Sequence, residues 1–160
     1  MSNIIDVIYL GVFLIIIAVT MTVVLLILNQ FYTNPIVQST FTAEELVPIT
    51  TAQTVIGYFD YLLVFIMVLY CIAALITAYY IKTHPVFYVA MLVLQLIAVA
   101  ISAVLSNLWQ SIASDPILMP ITNTFTYTPL ILNNLPIIVL VLSSMIAIVS
   151  YSTPSNPYEQ

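Results

Sequence analysis

The side chains able to do acid, base or metal chemistry are few. The carboxylates are Asp6, Glu44, Glu45, Asp60, Asp115 and Glu159, Lys82 is the lone cation, and His84 is the lone imidazole. General acid–base catalysis needs such a group beside its reacting partner, and a metal site needs further His or Cys ligands at suitable spacing. His84 has no second histidine, and the one cysteine, Cys71, lies in a distant apolar run. Ser-His-Asp chemistry is available from composition, but the histidine falls in a short turn expected to face away from Asp115. Phosphate cradles are built from glycine-rich loops, and Gly11 and Gly57 are the only glycines. No catalytic, cofactor-binding or metal-ligating residue is therefore expected. An ionisable group deep in a bilayer is a functional candidate because it is expensive to place there. Asp6 and Asp60 both sit at the edges of apolar runs, so an interfacial role is expected for each.

What must position these few groups is a chain of 160 residues that is 63% hydrophobic and 4% charged. An ordinary soluble domain is about one quarter charged, so the solvent for most of this surface is expected to be lipid. The net charge of −5 with a single cation excludes the multi-lysine footprint of a nucleic-acid binder. It equally excludes a polybasic dock onto anionic lipid. Cys71 cannot form an internal disulfide and reads as a small buried hydrophobe. The apolar stretch from Ile4 lacks a basic n-region and outruns the h-region of a secretory signal, so a span rather than a cleaved leader is expected. No Asn-x-Ser/Thr acceptor occurs.

A helix crosses a bilayer with roughly 20 mainly apolar residues. Four stretches qualify, at about 7–28, 61–80, 86–108 and 130–151, and they predict an all-α integral membrane protein forming a single domain. Aromatics mark the span ends: Tyr9, Phe31, Tyr58, Tyr61, Tyr79, Tyr80, Phe87, Tyr88, Trp109, Tyr127 and Tyr151. Such rings favour the headgroup level. Lys82 and His84 occupy the tight turn 81–85, which the positive-inside rule places on the cytoplasmic side. Two longer connections, 29–60 and 109–128, then share the other side and carry Glu44, Glu45 and Asp115.

Those connections contain local signals. Thr42-Ala43-Glu44-Glu45 matches a capping box and predicts a short helix disturbed by Pro48. Helix is expected to resume near Thr50 and run into the second span, protruding from the bilayer. Ser114-Asp115-Pro116 resembles a cap followed by proline at the first helical position, with Pro120 ending that helix. The tail 152–160, with Pro154 and Pro157, is expected to be extended.

Within the spans, small and polar residues recur at helical spacing: Gln95, Ala98, Ser102 and Ser106; Tyr70, Ala74 and Ala78; Ser143, Ala147 and Tyr151. Stripes of this kind let helices approach closely and hydrogen-bond across the contact. They serve either packing within the chain or contact with another subunit. Pro136 is expected to kink the last span, with Asn133 and Asn134 satisfying the freed backbone groups.

The segment Ile101–Ser152 resembles small membrane proteins of tailless icosahedral viruses that hold a lipid bilayer beneath the capsid. The residues that carry the likeness are Ser106-Asn107-Leu108-Trp109-Gln110, Asp115-Pro116, Asn134-Leu135-Pro136 and Tyr151-Ser152. The resemblance implies a structural virion protein in the internal membrane, reached through host membrane during assembly. Its longer connections would face the capsid, and no catalytic residue carries over. The expected partners are the lipid bilayer, capsid or other membrane-protein subunits, and further copies of the chain, with no nucleic acid. Two other functions fit the same residues. One is a holin-like pore whose Ser/Thr/Gln stripes line an opening, and the other is an accessory subunit of a membrane complex.

Overall fold

The computed structural model describes the backbone of residues 2–80 and 87–152, and the side chains of 5–80 and 89–151. Lys82, His84, Glu159 and the tail beyond Ser152 lie outside the described residues, and with them the orientation signal of the 81–85 turn.

The described chain is helical, with no strand among the described residues. Helix α1 covers Ser2–Thr33, α2 Pro35–Thr40, α3 Ala43–Tyr80 and α4 Phe87–Ala113. Three shorter helices follow: α5 at Met119–Thr122, α6 at Tyr127–Asn133 and α7 at Leu135–Ser152. Helices α1, α3 and α4 are each long and apolar enough to cross a membrane, whereas α6 and α7 reach that length only together, across a bend of 68°. The stretch 130–151 is thus not one straight helix. The break falls at Asn134, where Pro136 supplies no backbone N–H. Nearby groups take over the carbonyls that the helix leaves free. The Asn134 side chain donates to the Leu130 carbonyl at 2.8 Å, and the Ser106 hydroxyl donates to that of Asn133 at 3.1 Å. The Asn134 N–H donates to the Leu132 carbonyl.

Helix α3 also departs from expectation, because Pro48 does not interrupt it. Pro48 lies in the second turn of a continuous helix of 38 residues, where losing one backbone bond is tolerated. At about 1.5 Å per residue this helix is about 57 Å long, against a hydrocarbon core of about 30 Å. Its N-terminal third therefore extends past the apolar part of the bundle. The capping box forms as expected: the Thr42 N–H donates to Glu45 Oε2 at 2.8 Å, and the Glu45 N–H donates to Thr42 Oγ1 at 3.4 Å. These bonds hold the Glu45 carboxyl below the usual carboxylate range, the backbone bond from Thr42 contributing most. A depressed carboxylate stabilises the helix start above its ordinary value, and that contribution is lost as pH falls through the carboxylate range. The protection of the Leu46 amide, taken against the exchange rate of an unstructured chain at the same pH, is accordingly expected to fall on acidification from pH 7 to pH 3, and Glu45→Gln to remove most of that pH dependence.

Two clusters fill the bundle. One joins Leu14, Ala18 and Met21 of α1 to Leu63, Trp109, Phe125 and Leu132. The other, toward the opposite end, joins Val7 to Ala78, Met91, Ala98, Val139 and Ile146. Between them Gly11 is buried, and a Cβ built there would meet Leu105 Cδ1 and Leu135 Cδ2 at 3.4 Å each. That is ordinary contact, so Gly11→Ala should be accepted. Gly11→Leu has no such room and is expected to cost about 1–3 kcal/mol by overpacking, readable as earlier unfolding in a detergent titration.

The small-residue stripes are spent inside the chain. Ala98, Ser102 and Ser106 are at most 3% exposed and Gln95 is 9% exposed, and α4 packs most extensively on α7. The Gln95 amide donates to Ser144 Oγ at 2.7 Å across that seam. Ser143 and Ala78 are fully buried. The outer surface is conversely apolar, with Leu96, Val104 and Ile148 about two-thirds exposed. Tyr9, Tyr58, Tyr61, Tyr79 and Tyr80 also face outward, as interfacial rings should.

Candidate functional site

The charged side chains of the described residues sit at the ends of the bundle, with one exception. Asp6, Glu44, Glu45 and Asp115 are exposed, as expected, but Asp60 is 4% exposed and belongs to the interior. The sequence places it at the edge of the apolar run 61–80. Because α3 begins at Ala43, position 60 lies near the middle of a continuous helix, facing α6.

Asp60 is held there by four hydrogen bonds. Its Oδ2 accepts from the N–H groups of Thr126 at 2.8 Å and Tyr127 at 2.9 Å. Its Oδ1 accepts from the Thr128 N–H at 2.6 Å and the Thr128 hydroxyl at 2.7 Å. These donors are the N-terminus of α6. A helix leaves its first N–H groups without intrahelical partners, and a side chain at the N-cap normally answers one of them. Here the N-cap residue, Thr126, makes no side-chain capping bond. A carboxylate 66 residues earlier in the chain does the work instead. Pro129, the third helical residue, has no N–H to satisfy, so the first turn of α6 is fully provided for. The negative charge also opposes the positive end of the helix dipole. Beside the carboxylate, the Tyr61 and Tyr127 rings pack with centroids 5.1 Å apart at 57°, tying the neighbouring residues of the same two helices.

The chemistry open to this carboxylate is limited. Both oxygens already accept two bonds each, which is close to the capacity of an ionised carboxylate. No group of three or more His, Cys, Asp or Glu capable of holding a metal occurs among the described residues. The arrangement clamps α3 to α6 at the point where the chain turns back into the bundle.

Trp109 is the second residue placed differently from expectation. It is fully buried in the cluster with Leu25, Leu63, Ile121 and Phe125 rather than facing headgroups. Its Nε1 has no hydrogen-bond partner among the described residues. Position at a span end was the only signal for it, and α4 in fact continues to Ala113.

Past Trp109 the second connection folds over the bundle. Asp115 Oδ1 accepts from the Ile117 N–H at 2.8 Å, and the Asp115 carbonyl accepts from Leu118 and Met119. This is a turn, not the helix start that Ser114-Asp115-Pro116 suggests. Pro120 stands at the beginning of α5 rather than at an end, where its fixed φ suits the first turn.

Cavities among the described residues include the following pair. One, about 340 Å³, is an apolar groove between Ile16, Thr20 and Val24 of α1 and Ile56, Phe59 and Leu62 of α3. The other, about 500 Å³, opens at the end where the long connections gather, lined by Leu25 and Asn29 of α1, Thr50, Gln53, Thr54 and Gly57 of α3, and Pro120, Ile121 and Thr124. On α3, Gly57 lies one turn from Asp60.

Compared with models of protein families, with curated proteins and with solved structures, the chain matches none.

Proposed function

We propose that this chain is a structural integral membrane protein that anchors or organises a bilayer beneath a protein shell, with no catalysis of its own. The observation that carries the proposal is the use made of Asp60. The one buried carboxylate among the described residues is committed to capping α6, whereas a proton or ion path requires a buried charge free to change partner. The membrane-embedded polar groups support the same reading, since Gln95, Ser106 and Ser143 are bonded within the bundle. Stripes closed in this way do not favour the pore alternative, whose opening they would have to line.

The asymmetry of the bundle supports the shell. Helices α2 and α5 both pack on α1, and the start of α3 and the connection leading into α5 carry exposed Glu44, Glu45 and Asp115. A rigid helical projection of this kind suits contact with a protein layer parallel to the membrane. In this reading the bent pair α6–α7 forms a fourth crossing, and the likeness of Ile101–Ser152 to internal-membrane proteins of icosahedral viruses names the setting: a virion membrane, with host membrane as the route to it.

Purified particles test the proposal. The chain is expected to co-purify with shell proteins and to remain with the lipid fraction when the shell is stripped. Recovery only in host membranes, never with shell proteins, would overturn it. Induction in a bacterium addresses the pore: the membrane potential is expected to hold.

A further inference from the structure

The exposed surface of the bundle changes from apolar to polar at different heights on its two sides. Helix α1 packs on α3 and α4, and the α6–α7 pair packs on the same two helices, so α1 and α6–α7 face outward on opposite sides. Their heights can be compared through these shared neighbours. The groove beside α1 sets Met21 and Val24 against Phe59 and Leu63 of α3, so Asp60 stands level with about Met21. The bonds from Thr126 and Tyr127 to Asp60 put the start of α6 at that same height. There the α6 side is already polar, with Asn123, Thr124 and Thr126 exposed. On α1 the apolar surface continues outward through Val24 and Ile27, 39% and 59% exposed, and turns polar at Asn29. Met21 and Asn29 are about 12 Å apart along the helix.

The opposite end shows the reverse. Val7 of α1 shares one cluster with Ala74, Ala78, Met91 and Ile146, which sets Asp6 level with the last turns of α7. Gln95 bonds Ser144, and Ser106 bonds the Asn133 carbonyl. Helix α7 therefore runs against α4 residue for residue, and Ile148 comes opposite Met91. At this height α1 exposes the Asp6 carboxylate, whereas α7 exposes Ile148 at 69%. Relative to α6–α7, the apolar band on α1 is displaced toward the projecting end at both of its edges. An upright bundle would bring Asp6 and Thr126 into hydrocarbon or leave Ile27 and Ile148 in water. The first is expensive for a charge, and the second forfeits apolar burial. Tilting avoids both. A displacement of about 5–10 Å across two helix diameters, roughly 20 Å, corresponds to a tilt of about 20°, which membrane helices commonly adopt.

We infer that the lipid-contacting surface is a band slanted against the bundle axis, so that the bundle stands tilted in the bilayer with its projecting end leaning toward α1. The inference rests on the proposed membrane setting and specifies how the bilayer is engaged. Hydrocarbon meets Val24, Ile27 and Ile148, and water meets Asp6 and Thr126.

Single nitroxide labels test it in the full chain carrying Cys71→Ala, reconstituted in dioleoyl-phosphatidylcholine vesicles. Collision with oxygen, which enriches in hydrocarbon, is compared with collision with a water-soluble nickel chelate. The label at Val24→Cys is expected about 5 Å below the membrane surface, and that at Thr126→Cys in water, although the two stand at nearly the same height on the bundle. At the other end Ile148→Cys is expected in hydrocarbon and Ile5→Cys, which leaves the neighbouring Asp6 in place, in water. Ile27→Cys and Thr124→Cys replace the first pair should a label disturb the fold, which circular dichroism checks. Equal depths within either pair would overturn the inference. Leu96→Cys, on the exposed face of α4, separates the two questions. Oxygen-favoured collision there, with equal depths within a pair, removes the tilt alone; nickel-favoured collision there removes the membrane setting itself.

Discussion

Replacing Asp60 by alanine is expected to destabilise the bundle by about 3 kcal/mol and to release α6 from α3. Four hydrogen bonds end on this carboxylate, and Thr128, which supplies two of them, is fully buried. A buried donor left without a partner costs about 1–3 kcal/mol. Thr126 is exposed and Tyr127 partly so, so water can rescue those two N–H groups, and the main loss falls on Thr128. Asp60→Asn keeps one acceptor oxygen and should retain roughly half the stability difference. Thr128→Val removes only the hydroxyl bond and should cost about 1 kcal/mol. Equilibrium unfolding in mixed detergent micelles ranks the three variants. If Asp60→Ala proves neutral, the clamp is not what fixes α6.

The second large effect is expected at Trp109. Trp109→Ala removes a fully buried ring from the cluster formed with Leu63, Ile121, Phe125 and Leu132. Large-to-small core changes of this kind cost about 3–5 kcal/mol. Within a bilayer the transfer part of that cost is reduced, because unfolded helices remain in hydrocarbon. The lower part of the range, about 3 kcal/mol, is therefore expected. Trp109→Phe should behave differently. It gives up some volume but also removes an indole N–H that has no partner among the described residues, so the two changes oppose one another and the net cost is expected within about 1 kcal/mol. The contrast between the substitutions separates packing from hydrogen bonding, and the same micelle titration measures both. Equal losses for both would mean that the N–H has a partner.

These two residues mark the limit of what the sequence could tell. Helix content, the exposed apolar surface and the outward tyrosines follow from hydropathy and aromatic placement, which are properties of single segments. The capping box at Thr42 and Glu45 is equally local and formed as expected. Asp60 and Trp109 were placed at the membrane surface because each lies where an apolar run ends. Their burial depends on other segments: Asp60 on the arrival of Thr126–Thr128, and Trp109 on the connection through Ile121 and Phe125 closing over it. One local hint existed, in that Thr126-Tyr127-Thr128-Pro129 has the composition of a helix start, yet its cap came from a distant helix. The continuity of α3 through Pro48 was hidden for a related reason. Pro48, five residues after Ala43, forgoes one backbone bond and crowds the Glu44 carbonyl, a local cost that a helix of 38 residues bears without breaking. At Asn134, by contrast, Pro136 marks the weak point as expected, but of the two asparagines only the Asn134 side chain is seen to bond a freed carbonyl, and the Ser106 hydroxyl serves the other. The size of the bend reflects a real change of direction, with the Ser106 hydroxyl and the Asn134 amide binding the exposed carbonyls.

The central claim is that the projecting end, built by α1, α2 and the first third of α3, meets a protein layer outside the bilayer. A photo-crosslinking residue at Thr51, which is exposed on that part of α3, tests it most directly when activated in intact particles or native membranes. The expected result is a discrete adduct with a shell protein, absent when the residue replaces lipid-facing Val104. Adducts at Thr51 confined to lipid or to other copies of this chain would contradict the account.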